Sequence, residues 1–151
     1  MSALGKQTKE DAISFDEEIV EMLIEVAAAK SAWVQQLGVM MNHYNPEQRE
    51  SLRQIRMDDA KHLRLVEELV NAHPGKTVTA RIHAEQVIAA SSHLPSPKKA
   101  ALLKLRGAEF VRRIMFASDK SQSSTLKAHQ HIMQEILQDD TNNAIRLSVI
   151  E

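Results

Sequence analysis

Apolar residues recur along the chain at alternating spacings of three and four, the period of amphipathic helices rather than strands. An alanine-rich apolar pattern runs from Ile19 to Tyr44. Ser14-Phe15-Asp16-Glu17 before it reads as a capping box, in which Ser14 accepts from a free backbone N–H and Glu17 reaches back. Asn45-Pro46-Glu47-Gln48 restarts the pattern. Asn45 can cap, and Pro46 suits the first helical position, where its missing N–H costs nothing. The second helix is predicted to run to about His73, where Pro74-Gly75 stops it. Thr79 to Ala90 fits a short helix within a crossover connection. Ser96-Pro97 opens a third helix reaching about Asp119, and a polar turn leads to a last helix from Ser124 to Val149. Residues 1–13 read as a flexible tail and 14–151 as one domain. Four long helices in two hairpins, joined by a long crossover, predict an all-α four-helix bundle.

Composition agrees. The chain has 151 residues, of which 43% are apolar and 3% aromatic, with four glycines and four prolines. So few turn formers and aromatics argue against a sandwich or barrel. There is no cysteine. That excludes disulfides, thiolate zinc sites, iron–sulfur clusters and a thiol nucleophile. A net charge of −1 provides no field for nucleic acid or anionic lipid. No apolar run approaches a membrane span, and Met1 to Lys9 lacks the core of a signal peptide. A cytoplasmic protein is the expectation.

The two hairpins are related. The inward row of the second helix is Leu52, Ile55, Asp59, His62, Val66, Leu69 and His73. That of the fourth is Leu126, His129, Met133, Ile136, Asp140, Asn143, Leu147 and Ile150. Alignment places Asp58-Asp59-Ala60-Lys61-His62 on Asp139-Asp140-Thr141-Asn142-Asn143. Residues three apart share a helix face, so Asp59 and His62 both point at the core. An unpaired buried carboxylate is costly, so a metal, a cation or a proton must compensate.

The other two helices offer acids at matching depth. Glu109 follows Leu102 and Leu105 in a three–four frame and precedes Phe116. Glu25 lies in the row Met22, Glu25, Ala29, Ala32, Gln36, at the edge of the first helix's apolar stripe; Glu18 and Glu21 compete with it. One Glu from each of two helices, with an acid-x-x-His pair from the others, is the ligand logic of carboxylate-bridged di-iron bundles. Carboxylates suit iron and manganese and can bridge two ions, and imidazole suits iron.

On Glu25, Asp59-Ala60-Lys61-His62, Glu109 and Asp140-Thr141-Asn142-Asn143, the chain resembles the ferritin-like superfamily, and more closely its rubrerythrin-like branch. The resemblance covers residues 14 to 149. It implies two iron or manganese ions held by Glu25, Asp59, His62, Glu109 and Asp140, with Asn143 as a weak ligand. It also implies peroxide reduction, oxygen-dependent oxidation or ferrous iron oxidation, with electrons from a separate donor. Two departures stand out. Asp replaces the usual Glu in both motifs, and the second motif ends in Asn143 rather than His. Arg112, one turn from Glu109, offers a positive charge where a metal would sit. These departures define an alternative, a metal-free bundle that serves as a binding or assembly protein. The apolar and alanine faces of the first helix suit a homodimer.

Other features carry less. His129-x-His131-x-x-x-Glu135 contains a spacing that hemerythrins use, but His43, His73, His83 and His93 do not complete that set. Lys98, Lys99, Lys104, Arg106, Arg112 and Arg113 read as a solvated basic face without the aromatics that stack bases. Met22, Met40, Met57, Met115 and Met133 read as core filler.

Overall fold

A computed structural model of the chain describes residues 9–72, 95–121, 124–128 and 130–150. The described residues form an all-helical bundle. Its elements are α1 (Lys9–Met40), α2 (Pro46–Asn71), α3 (Pro97–Asp119), α4 (Ser124–Ala128) and α5 (Gln130–Ser148), with a 3-10 turn over Met41–His43. Helices α1 and α2 pack chiefly on each other, as do α3 and α5. The two hairpins of the sequence pattern are therefore present. The crossover, with its expected helix at Thr79 to Ala90, lies outside the described residues, as do His73, His83, His93 and His129.

Local chemistry sets the boundaries. At α2 the Asn45 side chain accepts from the Gln48 N–H at 2.8 Å, and the Asn45 N–H donates back to Gln48 at 3.3 Å. This reciprocal pair satisfies two otherwise unpaired donors. At α3 Ser96 Oγ accepts from the Lys99 N–H at 3.2 Å, with Pro97 in the first turn. The start of α1 differs from the expectation at Ser14. The described helix already includes Lys9, so Ser14 lies within it. Lys9 to Ile13 contains no Gly or Pro to stop propagation. Ser121 Oγ donates to Asp16, tying the turn after α3 to the early part of α1.

The interior has three layers. Ile19, Leu23, Val66, Leu69, Ile114, Met133 and their neighbours form one apolar cluster. Leu37, Met40, Leu52, Ile55, Ala100, Leu147 and Ile150 belong to a second. Between them lies a polar layer of Lys30, Asp59, His62, Lys104, Asp140 and Asn143, all buried.

The inward rows expected for the second and fourth helices are buried at every described position. The frame expected for the third helix is displaced by one residue. Leu102, Leu105 and Phe116 face solvent, with Leu102 60% and Phe116 62% exposed. The buried row is Ala101, Lys104, Ala108, Val111 and Ser118. Its small residues leave room for the aliphatic stem of Lys104, so Lys104 belongs to the core and not to a solvated basic face. Met57 also departs from its expected core place. It is exposed, and its sulfur accepts from Arg53 at 3.6 Å. The α1 alanines proposed for a dimer face are largely used within the chain, since Ala27, Ala28 and Ala32 are buried. No described helix is long and apolar enough to cross a membrane.

Candidate functional site

The polar layer is built by one side chain or pair from each long helix. Lys30 comes from α1, Asp59 and His62 from α2, Lys104 from α3, and Asp140 and Asn143 from α5. Lys30 Nζ donates to Asp59 Oδ1 at 2.9 Å and to Asp140 Oδ1 at 2.5 Å. Lys104 Nζ lies 2.5 Å from both Asp59 oxygens and 3.5 Å from Asp140 Oδ1. It also sits 4.4 Å from the centroid of the Trp33 ring, a cation–π arrangement. Two ammoniums face two carboxylates, so their charges cancel.

An outer ring crosses between the repeat units. His62 Nε2 donates to Asp139 Oδ2 at 2.8 Å, and Asn143 Nδ2 donates to Asp58 Oδ2 at 3.1 Å. The residue three after the inner acid of each helix thus bonds the outer acid of the other. Arg146 donates to Asn143 Oδ1 at 2.9 Å and lies 3.6 Å from Asp58. Lys61 pairs with Glu135 at 2.6 Å and approaches Asp139 at 3.9 Å. The His131 and Glu135 pattern thus contributes a surface ion pair, with His131 exposed.

The charges act on one another. Burial pushes the Asp59 carboxyl up, but the adjacent Lys104 and Lys30 charges overcome this and hold it well below the usual carboxylate range. Burial pulls Lys30 down, and the Asp59 and Asp140 charges reverse that, leaving it raised. Lys104 is left lowered, because burial and the Lys30 charge outweigh the support of Asp59 and Asp140.

The six residues expected as ligands divide. Asp59, His62, Asp140 and Asn143 come together in the polar layer. Glu109 is exposed on α3 and pairs with Arg112 at 3.3 Å, so that pair forms on the surface rather than at the centre. Glu25 is exposed, and so are Glu18 and Glu21. A two-ion ligand set is not gathered among the described residues. A one-ion set is: Asp59, His62 and Asp140 bring one ligand atom each within 4.8 Å of the others and can hold a metal ion. His62 is oriented as such a ligand. With Nε2–H given to Asp139, Nδ1 of a neutral ring carries its lone pair inward. Nδ1 lies 3.8 Å from Asp59 Oδ1 and from Asp140 Oδ1, and it is a buried atom with no hydrogen-bond partner.

A cavity of about 240 Å³ opens beside this layer, between α1 and α3. Val26, Ala29, Trp33, Phe110 and Val111 provide its apolar walls. Lys30, Lys104 and Asp140 form its buried floor, and exposed Glu25 and Gly107 mark its open edge. A Cβ on Gly107 would meet nothing within 4 Å, so no packing demands glycine there.

Lys30 and Lys104 carry the site's positive charge, and neither stood out as chemistry in the sequence. Their signal was positional. Lys30 falls in the row Ile19, Leu23, Val26, Lys30, Leu37, Met40, and Lys104 in the alanine row of α3. Compared with known proteins, the chain matches no family model, no curated protein and no solved structure.

Proposed function

We propose that the chain is a metal-free binding protein whose cavity between α1 and α3 takes a small, largely apolar, uncharged molecule. One observation carries this reading: the ammoniums of Lys30 and Lys104 already hold Asp59 and Asp140. The charge that a metal pair would supply is provided by the chain. Adding a divalent ion would bring net positive charge into a buried, neutral layer beside two ammoniums, which is unfavourable in a low-dielectric interior. The ferritin-like resemblance then describes architecture and the ancestry of the acid-x-x-His spacing, without its redox chemistry.

The cavity suggests the class of ligand. Its walls favour apolar contact, as small-molecule pockets generally do. Its floor is charge-balanced, so an anion would leave buried net negative charge, and Glu25 at the edge repels anions further. A neutral molecule with one polar end fits both conditions. Trp33 is the single tryptophan and lines the cavity, so its emission reports occupancy. The test combines metal analysis of purified protein with titration of Trp33 emission by short-chain alcohols. The expected result is no stoichiometric metal and a saturable emission change. Stoichiometric metal whose removal unfolds the chain would reject the proposal.

A second reading is favoured by His62 alone. Its inward, partnerless Nδ1 and its Asp139-held Nε2–H suit a single divalent ion with Asp59 and Asp140. That reading requires Lys30 and Lys104 to leave the carboxylates. Metal analysis separates the two.

A further inference from the structure

Lys104 lines the cavity floor and is not the sole cation of the polar layer. Lys30 bridges Asp59 and Asp140 within hydrogen-bond distance of both. Lys104 hydrogen-bonds Asp59, stands 3.5 Å from Asp140 Oδ1, and lies against the Trp33 ring that forms a cavity wall. A lysine in a desolvated pocket beside a second cation is the setting in which amines act as nucleophiles toward carbonyls.

We propose that Lys104 captures an apolar aldehyde in this cavity as a Schiff base, with Asp59 as its counter-ion. The proposal rests on the cavity being a ligand site and names the chemical class of the ligand. The condensation balances without redox chemistry. The Lys104 nitrogen forms a bond to the carbonyl carbon, the carbon–oxygen bond breaks, and the oxygen leaves as water. One ammonium proton passes to an Asp59 oxygen, 2.5 Å away, as the amine attacks; a second moves from the nitrogen to the former carbonyl oxygen, and the first returns to that oxygen as it leaves as water. An ammonium and an aldehyde thus become an iminium and water, with no change in total charge.

Charge conservation is what fits the chemistry to this site. The iminium keeps a positive nitrogen opposite Asp59 and beside the Trp33 face, so the buried layer stays neutral. A neutral adduct would strand a carboxylate in the core. The apolar walls hold the alkyl chain and exclude the water that would hydrolyse the imine. Lys30 remains to hold both carboxylates while Lys104 reacts.

The experiment treats the folded full chain with substoichiometric hexanal and cyanoborohydride, which delivers hydride to the iminium carbon. Peptide mapping then locates the adduct, and Trp33 emission is followed with hexanal and, in parallel, with hexan-1-ol. The expected result is a single adduct at Lys104, lost in Gly107→Phe, whose ring fills the open edge from an exposed position. Lys104→Arg keeps the charge and removes the primary amine, so no cavity adduct should form. A Trp33 response to both compounds with adducts only on exposed lysines would overturn the Schiff base and leave the ligand site standing. No Trp33 response and no Lys104 adduct would overturn both.

Discussion

Lys104 grips both carboxylate oxygens of Asp59 at 2.5 Å in a layer closed to solvent, with Lys104 1% exposed and Asp59 fully buried. Such a pair is worth little over a well-packed apolar replacement, but breaking it strands a charge. Asp59→Ala leaves two ammoniums against Asp140 alone, and should destabilise the fold by about 3–5 kcal/mol. Combining Asp59→Leu with Lys104→Met leaves the balanced Lys30–Asp140 pair and should recover most of that loss. Urea denaturation of the single and double variants checks both. A double variant no more stable than Asp59→Ala would show that charge balance is not what the layer requires.

Acid should unfold the protein through the same carboxylate. The groups facing Asp59 are Lys30 from α1, His62 from its own helix, Lys104 from α3 and Asp140 from α5. The folded pKa of Asp59 lies below its ordinary value of 3.8. A depressed carboxylate contributes stability that is fully present above the unfolded pKa and lost as pH falls toward the folded one. Stability should therefore drop steeply as pH falls below about 4. Asp59→Asn, compared by denaturation at several pH values, should flatten that acid limb while lowering the plateau at neutral pH. An acid limb unchanged in the variant would assign acid sensitivity to other groups.

Much of the bundle was legible because its boundaries are written in short chemical signals. Asn45 with Gln48, and Ser96 with Pro97, start helices where the sequence pattern places them. The Asp59 and Asp140 repeat was legible for a related reason: acids in an otherwise aliphatic row must face the core. The crossed bonds from His62 to Asp139 and from Asn143 to Asp58 give that repeat a structural meaning. The partners of the acids were not legible. A lysine in an apolar row looks like a solvated residue until its stem is seen filling space left by Ala101 and Ala108. On α3 the larger apolar residues, Leu102, Leu105 and Phe116, face outward. Hydrophobicity alone therefore selects the wrong face and takes Glu109 inward with it.

Gly107 offers a test of the cavity that does not depend on knowing the ligand. Glycine inside a helix costs about 1 kcal/mol relative to alanine. Here no neighbour lies close enough to demand it. Gly107→Ala should raise stability by about 0.5–1 kcal/mol, read by thermal or chemical denaturation. A bulky Gly107→Phe, which keeps Trp33 the single tryptophan, should instead leave Trp33 emission unresponsive to short-chain alcohols. If Gly107→Ala destabilises, the open edge is not the unfilled space described for it.

The identity of the layer's cation can be switched. Lys30→Met with Lys104→Met removes both ammoniums and leaves Asp59, His62 and Asp140 with ligand atoms within 4.8 Å of one another. His62 Nδ1 already has no partner, and its ring is already held by Asp139. Two buried carboxylates without a cation must take up a proton or bind a metal. The double variant should be destabilised without metal and rescued by added zinc or manganese. Metal at a hundredfold excess over its dissociation constant should restore about 2.7 kcal/mol. The parent chain should show no such shift, because its ammoniums hold the same oxygens. Thermal denaturation with and without each metal, for both chains, decides the matter. Metal stabilisation of the parent equal to that of the variant would mean that Lys30 and Lys104 yield to an ion, and the metal-free reading would fall.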